Sequence, residues 1–321
     1  MTGDPTYGYT LPMLSQVGVP PPPDDFADFW TGLYQRARQV DPAPVARPTG
    51  HPESSRPGGS AYDVEFTSLG GIRLGGWLRL PADGRVKRGL VVGHGYGGRA
   101  TPDAAVPVER AAALYFGSRG LPTRGLVPGI PDTARRHVLH GIADRGTYVH
   151  GGCAADVWAA VGALCRLIPE AAARVDYLGA SFGGGIGALA LPWDDRITSA
   201  CLVVPSFGNH PLRLTMPCTG SGEAVREHAR THPEVHEVLR YFDAATAAMF
   251  LRIPTHVGLA LADPAVPPPG QFAVYNALAG PRARFLLTAG HTPYAGMVRE
   301  AQALSTAQRD FLDPVDPAPP A

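Results

Sequence analysis

Lysine is almost missing from this 321-residue chain; Lys87 is the only one. A Schiff-base lysine or a serine–lysine pair therefore has almost no material to work with. Net charge is missing too. The 28 Lys and Arg side chains balance 28 Asp and Glu, so no basic field invites nucleic acid and nothing favours attraction to a membrane surface. Cysteine is scarce: Cys153, Cys165, Cys201 and Cys218 include no C-x-x-C pair. Free thiols suit a reducing compartment, and each is read as a small buried hydrophobe. No apolar run approaches the length of a membrane span. The stretch Met1-Thr2-Gly3-Asp4-Pro5 lacks the basic-then-apolar pattern of a secretory leader. The expectation is a cytoplasmic protein that meets neither membrane nor nucleic acid.

What the chain does contain is Gly179-Ala180-Ser181-Phe182-Gly183, a G-x-S-x-G pentapeptide. A strand-like run, Arg174 to Leu178, precedes it, and a small apolar run, Gly184 to Leu191, follows. Strand, sharp turn and helix are the context in which such a serine is a nucleophile. The alternative is a glycine-rich turn with an incidental serine, and the partners decide between them. In hydrolases of this type the chain order is Ser, then Asp or Glu, then His. Pro254 to Ala262 reads as an apolar strand ending at Asp263, and Ala283 to Ala289 as another, closed by Gly290-His291. Ser181, Asp263 and His291 thus fall in order, each just past a strand, where open α/β sheets form their sites.

An oxyanion hole needs two backbone N–H groups aimed at one point. Phe182, following the nucleophile, supplies one. Tyr96 is the candidate for the other, in the loop His94-Gly95-Tyr96-Gly97-Gly98 after the buried strand candidate Arg88 to Gly93. The loop also spells G-x-G-x-x-G. A dinucleotide site would require a helix opening on the last glycine, and Arg99-Ala100-Thr101-Pro102-Asp103 starts a helix poorly. His228, His232 and His236 lie four apart, a spacing that can bind zinc. Pro233 interrupts that helix and Arg and Glu surround it, so no metal is expected. No cofactor is required either, because water can release the acyl-enzyme.

Further strings give the chain a family likeness over about residues 26–291. Asp25-Phe26-Ala27-Asp28-Phe29-Trp30, His94-Gly95-Tyr96-Gly97-Gly98, Arg119-Gly120, His137 to Ile142, Tyr241-Phe242-Asp243, and Asp263 to Pro268 followed by Tyr275-Asn276 resemble the acetyl xylan esterase and cephalosporin C deacetylase family, carbohydrate esterase family 7. The resemblance implies an α/β-hydrolase fold, with a mostly parallel sheet flanked by helices. It also implies removal of acetyl groups from small molecules, and often a homo-hexamer. The chain departs from the family in three places. Phe182 stands where the family has Gln after the nucleophile, Leu121 where it has the Gln of RGQG, and His150-Gly151 end a segment that reads TYYYR in the family. Leu121, His150 and Gly151 are accordingly read as pocket residues. The expected substrate is an acetyl ester whose alcohol is bulkier or more apolar than a xylose unit. Two other readings share the fold: a tailoring enzyme that eliminates acetate or transfers or cyclises an acyl group, and a non-catalytic binding protein.

Punctuation sets the organisation. Residues 1–23 are Pro-rich and read as a flexible arm, and 24–312 as one α/β-hydrolase domain with an insertion at about 205–250. Residues 313–321 read as a frayed tail. Asp24 is expected to cap a helix from Asp25 to about Val40, with Phe26, Phe29, Trp30 and Leu33 on one face. Residues 41–60 read as a loop, and Asp63 to Leu80 as a hairpin about Gly70-Gly71.

Overall fold

A computed structural model describes residues 3–49, 60–103 and 108–313. Its centre is a nine-stranded sheet: β1 (Val45–Pro48), β2 (Ala61–Ser68), β3 (Ile72–Arg79), β4 (Arg88–Val92), β5 (Ala111–Phe116), β6 (Val175–Ala180), β7 (Ile197–Val203), β8 (Thr255–Ala260) and β9 (Arg282–Leu287). The spatial order is β1-β2-β3-β5-β4-β6-β7-β8-β9. The first three strands run antiparallel, and from β5 to β9 every neighbouring pair is parallel. This is the α/β-hydrolase architecture, with helices covering the sheet.

Strands buried on both faces read as continuous apolar runs, and β4, β5 and β8 are buried at every residue. Their side chains alternate between two cores. Val91, Leu114, Tyr177 and Val257 join the larger one, with Trp30, Trp158 and Ile186 from covering helices. Leu90, Val92, Tyr115 and Cys201 face the other, closed by Leu312 of the helix Met297–Leu312. The hairpin about Gly70-Gly71 forms as read, both glycines at positive φ. The loop expected at 41–60 instead begins with the edge strand β1, paired antiparallel to β2; residues 50–59 of that stretch lie outside the described residues.

The N-terminal segment, read as a flexible arm outside the core, is bound to the body over its described residues. Leu14 is fully buried. The Asn276 side-chain amide donates to the carbonyls of Leu14 and Val17, the Tyr7 hydroxyl donates to Pro217 O, and the Asp263 N–H donates to Pro5 O. Composition marked the segment as Pro-rich; it could not show that the body supplies partners for its carbonyls. The tail from 314 onward lies outside the described residues.

The first helix of the body runs Phe26–Arg38 and buries Phe26, Trp30 and Leu33 as its spacing demands. Asp25, not Asp24, occupies the cap position, and its side chain makes no cap bond. Its carboxylate instead accepts from the Tyr241 hydroxyl and from Arg145, while Trp30 Nε1 donates to Tyr241 O at 2.8 Å. Tyr241-Phe242-Asp243 therefore meets Asp25 to Trp30 in space. Asp243 caps the helix Ala244–Ala248 and accepts from the N–H groups of Asn209 and His210.

Candidate active site

β6 ends at Ala180 and the helix Phe182–Ala190 begins two residues later, so Ser181 carries the whole change of direction. Its φ of 54° and ψ of −115° lie where a side-chain-bearing residue is strained. The flanking glycines are steric necessities. A Cβ on Gly179 would sit 2.5 Å from Gly183 O, and one on Gly183 would sit 2.9 Å from His94 O. Only bare backbone lets the turn approach the β4 loop this closely.

His291 follows β9 at φ 49°. Its Nε2 lies 2.9 Å from Ser181 Oγ and its Nδ1 lies 2.8 Å from Asp263 Oδ2. Asp263, fully buried just past β8, is held from four directions. Oδ1 accepts from the N–H groups of Ala265 and Val266 at 2.9 Å each, and Oδ2 accepts from Gln271 Nε2 at 3.1 Å as well as facing His291. A carboxylate with this many donors is fixed in place. Two other acids between the serine and the histidine are engaged elsewhere. Asp194 pairs with Arg196 and Asp243 caps its helix.

Gln271 escaped the sequence reading. It sits on the helix Pro268–Ala277, accepts from the Ala260 N–H, and donates to both Val266 O and Asp263. It thereby ties the end of β8 to the turn that bears the acid. Pro5, which accepts the Asp263 N–H, escaped as well. A buried glutamine eight residues past an acid was the only signal for the first, and the sequence carried none for the second.

The loop after β4 comes close to the serine; a Cβ on Gly95 would lie 3.9 Å from Ser181 Cβ. Among the described residues, the backbone N–H groups of Tyr96 and Phe182 have no hydrogen-bond partner within the fold. Both amides stand in segments next to the strained serine. His94 anchors this loop. Its Nε2 accepts from the Ser118 N–H at 3.0 Å and its Nδ1 faces Gly95 O at 2.7 Å. Burial pushes its pKa down to about 4, so it remains a neutral strut.

The expected pocket residues do not gather at the serine. Leu121 is fully buried in the larger core. Gly151 lines a different cavity of about 190 Å³, with Leu33, Arg119 and Tyr148. His150 is fully buried and meets the Tyr96 hydroxyl at 3.2 Å. The Phe182 side chain also turns inward. It is fully buried against Tyr96, with ring centroids 4.5 Å apart, and near Phe207 and His137. The reading of Leu121 as a pocket residue is therefore corrected: its side chain, like that of Phe182, is buried in the core. At a helix N-terminus the backbone N–H faces outward, and here the side chain joins the core.

Two further cavities lie on the molecule, and one of them includes His291. One of about 520 Å³ is bounded by Asp4, Tyr7, Pro217, Cys218, Thr219 and Pro264, so the N-terminal segment builds part of it. The other, about 410 Å³, includes His291 with Pro293, Tyr294 and Met297. Among the described residues no three His, Cys, Asp or Glu side chains gather as metal ligands, and no helix is long and apolar enough to cross a membrane.

The family model for acetyl xylan esterase (AXE1) matches residues 15–309 of this chain. The chain belongs to the acetyl xylan esterase family. It is a carboxylic-ester hydrolase of that family. Among solved structures, the acetyl xylan esterase from Paenibacillus sp. R4 is similar at 24% identity and a TM-score of 0.78, over 93% of this chain and 99% of that one. Acetyl xylan esterase 1 from Thermoanaerobacterium sp. JW/SL YS485 is similar at 20% identity and a TM-score of 0.78, over 93% and 98%. The acylaminoacyl peptidase of Pyrococcus horikoshii shares the fold at 14% identity and a TM-score of 0.59, over 79% of this chain and 41% of that one. The family expected from the short strings is the family found.

Proposed function

We propose that this enzyme removes acetyl and other short acyl groups from small-molecule alcohols, with Ser181 as nucleophile, His291 as general base and Asp263 as the group that orients it. The observation that carries the reading is the unbroken hydrogen-bonded run Asp263–His291–Ser181 beside two unpaired amides. His291 Nε2 takes the proton from Ser181 Oγ as the oxygen attacks the ester carbonyl. Asp263 holds the ring with Nδ1 protonated and balances the imidazolium that forms. The Tyr96 and Phe182 N–H groups receive the oxyanion; one such donor is worth on the order of 3 kcal/mol. His291 then returns its proton to the departing alcohol, and an activated water releases the acid. The proton transfers use the groups already in contact, and no step calls for a cofactor.

The test is Ser181→Ala assayed on p-nitrophenyl acetate beside fluorophosphonate labelling. Loss of about a thousandfold or more in kcat, with labelling of Ser181 alone in the parent, supports the assignment. Turnover within tenfold of the parent, or an adduct on another serine, refutes it. Mass spectrometry of the product from an acetylated substrate separates hydrolysis, which leaves an alcohol, from acetate elimination, which leaves an alkene.

A further inference from the structure

Arg213 is a charge without a partner. It ends the short helix His210–Arg213 and is only 4% exposed. Its Nε and Nη2 are buried and have no hydrogen-bond partner. Among the described residues it makes no ion pair, and unlike Arg99, Arg124 and Arg145 it lies over no aromatic ring. Removing a guanidinium from water without pairing it costs several kcal/mol. The buried Arg119, by contrast, pairs with Asp156 and donates to Ser68 Oγ and Leu69 O, and Arg79 donates to Asp103 O.

The position of the guanidinium is fixed. Asp243 accepts from the N–H groups of Asn209 and His210, and the Asn209 side chain caps the helix by accepting from the Leu212 N–H. A Cβ on Gly222 would overlap both Arg213 Nη2 and Cys218 Sγ, so the guanidinium stands beside Cys218. Cys218, Tyr7 and Pro264 bound the 520 Å³ cavity, and Pro264 directly follows the acid of the triad. The charge of Arg213 also acts on Tyr7, Tyr96, His150 and His210. No local acid meets it. Asp263 is taken by His291, Gln271 and two amides, and Glu223 by Arg226 and the Cys218 N–H. Asp4, in the cavity wall, is taken by Thr6 and Gly8.

We infer that Arg213 receives a carboxylate carried by the substrate, so that the preferred esters of this enzyme are anionic. This rests on the serine-esterase reading above and narrows it. A planar guanidinium with two adjacent free N–H groups matches a carboxylate bidentately. The carboxylate can belong to the acyl side, as in a dicarboxylic hemiester, or to the alcohol side, as in an acetylated hydroxy acid.

The experiment measures kcat/KM for matched pairs on the purified full chain, with p-nitrophenyl acetate as the neutral reference. The acyl-side pair is mono-p-nitrophenyl glutarate and its methyl ester. The alcohol-side pair is 3-acetoxybenzoate and its methyl ester. The expected result is a preference for the free carboxylate of about tenfold or more in one pair, carried mainly by KM and lost in Arg213→Gln, as expected when a charged hydrogen-bond partner is removed. The pair that shows it identifies the source of the carboxylate. Arg213→Lys should restore part of the preference. The ligand-free Arg213→Met protein should melt no lower than the parent, because an uncompensated charge has been removed. Glutarate or 3-hydroxybenzoate should raise the melting temperature of the parent and not that of Arg213→Met. The inference is overturned if neither pair shows a preference, if Arg213→Gln keeps it, or if ligand-free Arg213→Met melts markedly lower. If the parent hydrolyses no ester at all, p-nitrophenyl acetate included, the esterase reading fails, and the melting shifts still decide the fate of Arg213.

Discussion

Mild acid should unfold this protein, and four histidines give the reason. His94, His137, His150 and His210 are each no more than 3% exposed. Burial pushes His94 and His137 down to about 4 and His210 to about 3, and it drives His150 well below its ordinary value. The geometry agrees. His94 Nε2 accepts an N–H from Ser118, which a protonated ring cannot do. The Nδ1 atoms of His137, His150 and His210 are buried without partners. The sign follows from linkage. In the unfolded chain these rings bind protons at about 6.5, and in the fold they do not until far lower. Stability is therefore full above about pH 6.5 and falls as pH drops toward the folded values of about 4. At pH 5 each such histidine costs about 2 kcal/mol relative to pH 7.5, so His94, His137 and His210 together cost about 6 kcal/mol. Asp243 works in the opposite direction. Burial raises it to about 6, so it gains its proton in the fold first and offsets about 1 kcal/mol of the loss at pH 5. Against a net stability of about 5–15 kcal/mol, the remainder is decisive.

Urea unfolding followed by tryptophan fluorescence at pH 7.5, 6.5, 5.5 and 5.0 measures the effect. Unfolding free energy should fall by about 4–5 kcal/mol over that range, with roughly two protons taken up on unfolding at pH 5.0. His137→Asn, which keeps a donor for Arg119 O, should reduce that uptake by about one proton. A stability that stays within about 1 kcal/mol between pH 7.5 and 5.0 would refute the reasoning, as would an uptake unchanged by the variant.

Gln271→Leu should lower kcat/KM by about tenfold or more, because the Asp263 carboxylate loses a charge-assisted donor. Turnover within about twofold of the parent would make Gln271 a packing residue only. Gly179→Ala should cost about 1–3 kcal/mol in urea unfolding, because its Cβ would lie 2.5 Å from Gly183 O. A variant as stable as the parent would show that the elbow tolerates a methyl group.

The positions of Ser181, Asp263 and His291 were legible because each depends on a local pattern, a strand followed by a turn with a characteristic residue. The hairpin and the buried parallel strands were legible for the same reason. The pocket was not. Leu121, His150 and Gly151 stand in the pocket only by likeness to a family pattern, and a pattern of letters does not say which way a side chain turns. Phe182 shows the difficulty most clearly. Its backbone N–H stands free beside the serine, while its ring lies in the core against Tyr96. One residue therefore combines a surface role and an interior one, and only the first could be read from its place in the motif.

The strings that announced the family turn out to hold the molecule together at long range. Asp25 and Trp30 grip Tyr241, Asp243 fixes the segment that carries Arg213, Asn276 secures Leu14 and Val17, and His137 supports Arg119 O. Each bond joins parts of the chain far apart in sequence, so no window of periodicity or propensity contains both partners. The consequence reaches the chemistry through the N-terminal segment. Asn276 holds that segment on the body, and the segment in turn gives Pro5 O to the Asp263 N–H and Tyr7 to the cavity wall. A stretch that composition marks as expendable thus supports the backbone of the proposed acid and one side of the space beside it. Strings far from Ser181 thus anchor the parts of the chain on which the proposed site stands.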